Sequence, residues 1–254
     1  MLFALFAFTL SFAGVAVLAH LPDLTVSSVT VSGNRVLTAE ELASFVEWQL
    51  SGAYGFFIPK SNALLYPRTE AEAALLKAFP RLKEASLSLT SSTKAHLAVV
   101  ERVPYARWCR ARASAERPDI PEQCYYIDAN GFIYGRALIE GEGLARFSGG
   151  IGTTTNSIGA QLLAAEEFRN LTSFMGSLDS LSLSPSTLEL RGDGDISIML
   201  QGGPAILVNK DDNLAEEFSN LQSVLQSPEF QGVSLESIEY FDLRFGNKIY
   251  FKEK

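Results

Sequence analysis

The first charged side chain in this 254-residue sequence is Asp23, and Leu2 to Leu21 forms a 20-residue stretch without charge. Within it only Thr9, Ser11, Gly14 and His20 are not strongly apolar. Coiled into an α-helix, such a stretch is ~30 Å long, the thickness of a bilayer's hydrocarbon core. Its apolar residues run all round, so it does not read as a one-faced surface helix. A transmembrane anchor over residues 1–22 is therefore expected, with the membrane contacted through residues 2–21. A cleaved signal peptide competes, because Val17-Leu18-Ala19 resembles a cleavage site. Against it, a basic leading region is missing and the apolar run exceeds the usual ~7–15 residues. The same lack of Lys and Arg leaves the positive-inside rule nothing with which to set an orientation.

The rest of the chain is a different material. From Asp23 to Pro104 it carries 8 acidic and 8 basic residues; from Tyr105 onward it carries 21 and 13. The whole formal charge of -8 thus belongs to the last part of the chain. An acidic chain with 21 Lys+Arg is a poor nucleic-acid binder, since that binding rests on clustered cations. A 47% hydrophobic, 11% aromatic composition argues against disorder. Two His and two Cys leave little for a zinc or haem site, so no metal or cofactor is expected.

Cys109 and Cys124 flank a polar stretch with Arg110, Arg112, Glu116, Arg117, Pro118 and Pro121, which reads as a loop over 109–124. The pair suits one disulfide at the base of a hairpin, which requires an oxidising compartment; two free buried thiols are the alternative. The spacing is not a CxxC redox or metal pattern.

Residues 23–104 read as one module. Val26, Val29 and Val31 lead into the Ser32-Gly33-Asn34 turn. Thr38-Ala39-Glu40-Glu41 is a capping box, followed by Leu42, Phe45, Val46 and Leu50 at helical spacing. Thr69-Glu70-Ala71-Glu72 is a second box, with Leu75, Leu76 and Phe79 behind it and Pro80 ending the helix. Leu87 and Leu89, then Ala95, Leu97 and Val99, alternate with polar neighbours as half-buried strands do. The order strand, helix, helix, strand, strand resembles the polypeptide-transport-associated (POTRA) module, through Val29-Thr30-Val31-Ser32-Gly33-Asn34 and Val99-Val100-Glu101-Arg102-Val103-Pro104. By that resemblance its use is to hold partner polypeptides, often at a sheet edge.

Residues 105–254 read as a second domain. Tyr125 to Asp128 and Phe132 to Tyr134 flank Asn130-Gly131, the strongest short hairpin signal. Leu144 to Phe147 adds a strand, and Gly149 to Thr155 reads as a loop. Ile158, Leu162, Ala165, Leu171 and Phe174 suit a helix. Strands follow at Leu181-Leu183, Leu188-Leu190, Ile196-Leu200 and Ala205-Val208. Asp211 or Asp212 caps a helix with Leu214, Phe218, Leu221 and Leu225, and a hairpin over Ile238–Phe245 and Lys248–Lys252 closes the chain. The expected class is α+β: a transmembrane helix, a βααββ module, and a domain with a mainly antiparallel sheet and helices.

The combination resembles the FtsQ/DivIB family of bacterial cell-division proteins. The residues that carry it are the POTRA-like module, Pro104-Tyr105-Ala106-Arg107-Trp108, Tyr126-Ile127-Asp128-Ala129-Asn130-Gly131-Phe132-Ile133, and Ile238-Glu239-Tyr240-Phe241-Asp242-Leu243-Arg244-Phe245-Gly246-Asn247. The resemblance implies a single-pass scaffold of the inner membrane at the division septum, with most of the chain extracytoplasmic. It also implies partners: FtsB/FtsL-like proteins at the C-terminal strands, and other division proteins. On this reading Tyr240, Asp242, Leu243, Arg244, Phe245, Lys248, Tyr250 and Phe251 contact the partner, and Arg244 pairs with a partner carboxylate. A POTRA-bearing secretion or outer-membrane assembly component is the alternative.

No catalytic constellation stands out, and the protein is not expected to be an enzyme. His20 and His96 lack the companions of a Ser-His-Asp triad. Gly149-Gly150-Ile151-Gly152 lacks the Lys-Ser/Thr of a phosphate loop. Asp193-Gly194-Asp195 and Asp211-Asp212-Asn213 read as a turn and a helix cap, and Glu166-Glu167 and Glu216-Glu217 as solvated helix faces.

Overall fold

The computed structural model describes residues 19–55, 57–110, 123–137, 143–150, 157–230 and 232–254. The chain divides between Arg102 and Val103 into two compact units.

The first unit runs β1 (Ser28–Ser32), α1 (Ala39–Gln49), the short strands β2 (Ala53–Tyr54) and β3 (Ile58–Pro59), α2 (Arg68–Ala78), β4 (Leu82–Ser91) and β5 (Lys94–Glu101). β5 lies between β1, its parallel neighbour, and β4, its antiparallel one. The alternation in β4 and β5 turns Leu82, Leu87, Ala95, Leu97 and Val99 inward, where they pack with Leu42 and Val46 of α1 and Leu75 of α2.

Helix α1 begins at its capping signal: the Thr38 hydroxyl accepts the Glu41 N–H at 3.2 Å. Helix α2 does not. It starts at Arg68 behind Pro67, with no side-chain cap. Glu72 does not turn back to the helix start; it accepts from Arg68 Nε at 2.9 Å and from the Leu87 N–H on β4 at 2.7 Å. A backbone donor on the neighbouring strand wins the carboxylate that a local reading assigns to the cap.

The Gly33-Asn34 turn and Glu101, 68 residues apart, form one clasp. Gly33 sits at φ +86°, and a Cβ there would lie 2.0 Å from the Val99 carbonyl oxygen, so only glycine fits. Glu101, 8% exposed, accepts the N–H groups of Arg35 (2.7 Å), Val36 (3.0 Å) and Leu37 (3.0 Å). Burial opposes its charge, but these bonds and the nearby Arg81 guanidinium hold its pKa below the ordinary carboxylate value.

The second unit runs β6 (Ala106–Cys109), β7 (Cys124–Ile127), β8 (Ile133–Arg136), β9 (Arg146–Gly149), α3 (Ala165–Ser180), β10 (Pro185–Leu190), β11 (Asp195–Leu200), β12 (Ala205–Asn209), α4 (Leu214–Leu225), β13 (Ile238–Phe245) and β14 (Lys248–Glu253). One nine-stranded sheet takes them in the order β14-β13-β12-β11-β10-β9-β6-β7-β8. Its pairings are mixed. Strands β6–β9, β9–β10 and β12–β13 run parallel and the other neighbours antiparallel. Trp108, Phe147, Leu188, Ile198, Ile206 and Phe241 of the sheet share a core with Phe168, Leu171 and Leu178 of α3 and Leu221 of α4.

The Asn-Gly turn forms, fastened by Asp128, whose Oδ1 accepts from the N–H of Asn130 (2.8 Å) and Phe132 (3.1 Å). Two expected elements differ. The helix begins at Ala165, not at Ile158. The Gly159 N–H is given to the Ile133 carbonyl, and the Ala160 carbonyl accepts from the Ile133 N–H, so this backbone is spent on β8. Leu181 and Leu183 form no strand: both N–H groups bond to the Leu178 carbonyl in a turn closing α3.

The expectation of a fold with an N-terminal transmembrane helix over 1–22 is corrected. Among the described residues the architecture is mostly sheet with four α-helices, and no helix is long and apolar enough to cross a membrane. The longest, α3, has 16 residues and one apolar face, against the ~20 apolar residues a crossing needs. Residues 1–18 lie outside the described residues, and the chain turns at Pro22–Leu24. The interior of the cysteine-bounded loop (111–122) and most of the glycine-rich loop (151–156) also lie outside them.

Candidate functional site

Cys109 and Cys124 stand opposite each other across β6 and β7 and are joined by a disulfide. Closing a loop of 15 residues is worth ~3 kcal/mol through the unfolded chain. The double variant Cys109→Ser/Cys124→Ser is therefore expected to lower unfolding free energy in urea by about 3 kcal/mol. Reductant is expected to move the wild-type midpoint to that of the variant; an unchanged midpoint would show that the bridge adds nothing.

The two ends of the nine-stranded sheet differ. At one end the start of β8 is already covered. Ile133 exchanges backbone bonds with Gly159 and Ala160, and Phe132 bridges to Gln161. At the other end, among the described residues, β14 has a strand neighbour, β13, on one side only. Gly246 turns the hairpin at φ +65°, and Asn220 of α4 donates from Nδ2 to the Gly246 carbonyl at 3.3 Å. An edge strand presents a row of backbone groups that no sheet neighbour takes up.

Aromatic side chains accompany the edge. Phe245, Tyr250 and Phe251 are 55%, 53% and 46% exposed. Phe245 and Tyr250 meet edge to face with ring centroids 5.0 Å apart, and Phe251 meets Phe230 at 5.1 Å. Lys248 is exposed and Tyr240 partly so. Exposed Lys252 bonds Glu239 at 2.6 Å.

The remaining expected contact residues face the protein itself. Leu243 is 1% exposed and belongs to the core, where it holds the hairpin to the domain. Asp242 is 7% exposed and is gripped by Arg244, whose Nε donates at 2.8 Å and Nη2 at 2.6 Å. Arg244 Nη1 reaches Asp195 on β11, which also accepts from Asn209 Nδ2 at 2.8 Å. Burial works against the Asp242 charge, but Arg244 overcomes it and lowers the Asp242 pKa; the Arg244 pKa is raised, first through Asp242. Arg244 is thus a tie between β13 and β11, its guanidinium bonded to both Asp242 and Asp195.

Glu217 of α4 is the residue that sequence reading missed. It is 4% exposed, not a solvated face, and its Oε2 has no hydrogen-bond partner among the described residues. Burial pushes its pKa up to about 8, helped by a hydrogen bond with Asp212 and by the charges of Asp212, Asp242 and Glu216. The signal was in the spacing: Leu214, Glu217 and Leu221 lie at i, i+3 and i+7, one stripe of the helix. Nearby, Lys210 Nζ joins Glu167 of α3 (3.0 Å) to Asp211 (2.7 Å), and Asn213, not Asp211 or Asp212, caps α4.

A groove of about 250 Å³ runs between α3 and α4, lined by Asn170, Ser173, Ser177, Asp212 and Phe218 among others. Among the described residues no group of three or more His, Cys, Asp or Glu is placed to hold a metal ion. His96 bridges β5 to β1 through Thr30 (3.1 Å) and Ser32 (2.9 Å).

Compared with known proteins, the chain matches no family model, and no curated protein is significantly similar to it.

Proposed function

We propose that this chain is a binding scaffold of the FtsQ/DivIB type, acting in bacterial cell division by capturing a partner strand at β14. The observation that carries the reading is the open β14 edge flanked by exposed Phe245, Tyr250 and Phe251. Strand addition takes affinity from the backbone and specificity from alternate side chains, and aromatic anchors dominate such contacts. The first unit, with its βααββ order, serves as the POTRA-like docking module. The Cys109–Cys124 bridge supports an oxidising, extracytoplasmic setting. An FtsB/FtsL-like segment is the expected partner, with binding as the sole activity.

On this reading the contact set is Phe245, Lys248, Tyr250 and Phe251, with Tyr240 beside them; their exposure on the last hairpin supports it. In a pull-down with an FtsB-like periplasmic segment, Phe245→Ala/Tyr250→Ala is expected to weaken capture at least tenfold, roughly 1.4 kcal/mol. Both side chains are more than half exposed, so urea stability is expected to stay within about 0.5 kcal/mol of wild type. Undiminished capture by this variant sinks the reading.

A further inference from the structure

The first unit carries exposed apolar side chains of its own, on segments linked around the β2–β3 hairpin. Leu64, Phe57, Leu65, Tyr54 and Leu21 are 77%, 51%, 49%, 42% and 40% exposed. They sit on one set of linked segments. Tyr54 and Phe57 belong to the β2–β3 hairpin, and the Tyr54 hydroxyl donates to the Leu65 carbonyl at 3.1 Å. The loop bearing Leu64 and Leu65 is sewn to residues 19–26. Asn62, 2% exposed, donates from Nδ2 to the Ala19 carbonyl at 3.0 Å. The Ala63 N–H reaches the Leu24 carbonyl and the Val26 N–H reaches the Ser61 carbonyl, each at 2.8 Å.

Isolated exposed leucines need no explanation, but a cluster of this kind on one surface does. We infer that this patch seats in the headgroup–acyl boundary of a lipid bilayer. Three observations select lipid as the occupant. The buried amide of Asn62 fastens the loop to Ala19, within the uncharged Leu2–Leu21 run, so the patch begins where 20 residues of lipid-compatible chain end. An uncharged run of this composition is compatible with a lipid surface. The composition is interfacial: aromatic and leucine side chains with Lys60 the one charge between Gly52 and Pro67. Tyrosine and lysine suit this depth, with apolar bodies in the acyl region and polar ends among headgroups. The patch also lies at one end of the sheet, since the Ser27 N–H, next to Val26, bonds the Thr93 carbonyl in the β4–β5 turn. Lys83, at the other end of the ten-residue β4, is held away from that surface.

The test uses the full chain with Leu64→Cys, the native bridge kept and the free thiol labelled with an environment-sensitive NBD dye. Leu64 is 77% exposed, so the label leaves the core intact. In phosphatidylcholine–phosphatidylglycerol vesicles its emission is expected to shift to the blue and to be quenched by nitroxide-headgroup lipid. The same label at Lys83→Cys is expected to do neither. An unshifted, unquenched label at position 64 overturns the proposal. So does equal quenching at both positions, which marks indiscriminate adsorption. A blue shift that grows with protein concentration in lipid-free detergent also overturns it and assigns the patch to a second copy of the chain. None of these outcomes depends on strand capture at β14.

Discussion

Arg244→Ala is expected to lower the unfolding free energy of the second unit by about 3 kcal/mol, because it strands a buried carboxylate. Asp242, 7% exposed, loses both side-chain bonds to the guanidinium, and Asp195 loses its link to β13. The cost follows from the asymmetry of buried pairs: removing one member leaves the other charged, desolvated and alone. Arg244→Lys keeps the charge but not the two-pronged grip, and is expected to recover only part of the loss. Urea midpoints of the three proteins provide the measurement. A loss under about 1 kcal/mol for Arg244→Ala would put the tie among ordinary surface ion pairs. A binding defect in this variant therefore reports on folding as well as on the partner, which is why Phe245 and Tyr250 are the cleaner probes.

Glu217→Gln is expected to act with the opposite sign and only above about pH 4. The folded protein holds the Glu217 proton up to about pH 8, whereas an unfolded glutamate releases it near ~4.3. Between those values the native state binds more protons than the unfolded one, so stability falls as pH rises. The glutamine variant has no such loss. Its advantage is expected to be absent below about pH 4, to grow through neutrality, and to level off above pH 8 on the order of a few kcal/mol. Asp242 contributes the reverse trend. Its folded pKa is depressed, so its contribution is complete above the unfolded value near ~3.9 and is lost as pH falls through the folded one. Unfolding at pH 4, 7 and 9 tests this, and a gap between variant and wild type that does not change with pH would remove Glu217 from the account.

Elements built on short-range chemistry were legible. Thr38 caps α1, Asn130-Gly131 turns the β7–β8 hairpin, and the final hairpin spans Ile238–Phe245 and Lys248–Glu253. In each, the residues that decide the conformation are within a few positions of one another. What escaped depends on distant partners. Glu72 abandons a well-formed capping box for an N–H on β4. Residues 158–162 have helical spacing but spend their backbone on β8. Strand β9 inserts in parallel between β6 and β10, a placement that no local pattern encodes. The candidate site divides the same way. Exposed aromatics on a terminal strand can be read from position alone, whereas the burial of Leu243 and the tie of Arg244 to β11 depend on residues distant in the sequence.

The unlike ends of the large sheet set the arithmetic of assembly. A sheet open at both ends propagates: each copy accepts one strand and offers another, and the product is a fibre. Here the four-residue β8 is already held at its start by Gly159 and Ala160, and β14 is the end that, among the described residues, has no second strand beside it. Two copies that met through β14 would close into a symmetric pair and stop. A foreign strand laid on β14 occupies the surface that such a pair needs. On the proposed reading, pairing of two copies and capture of a partner would compete for this one edge, and concentration would set their ratio.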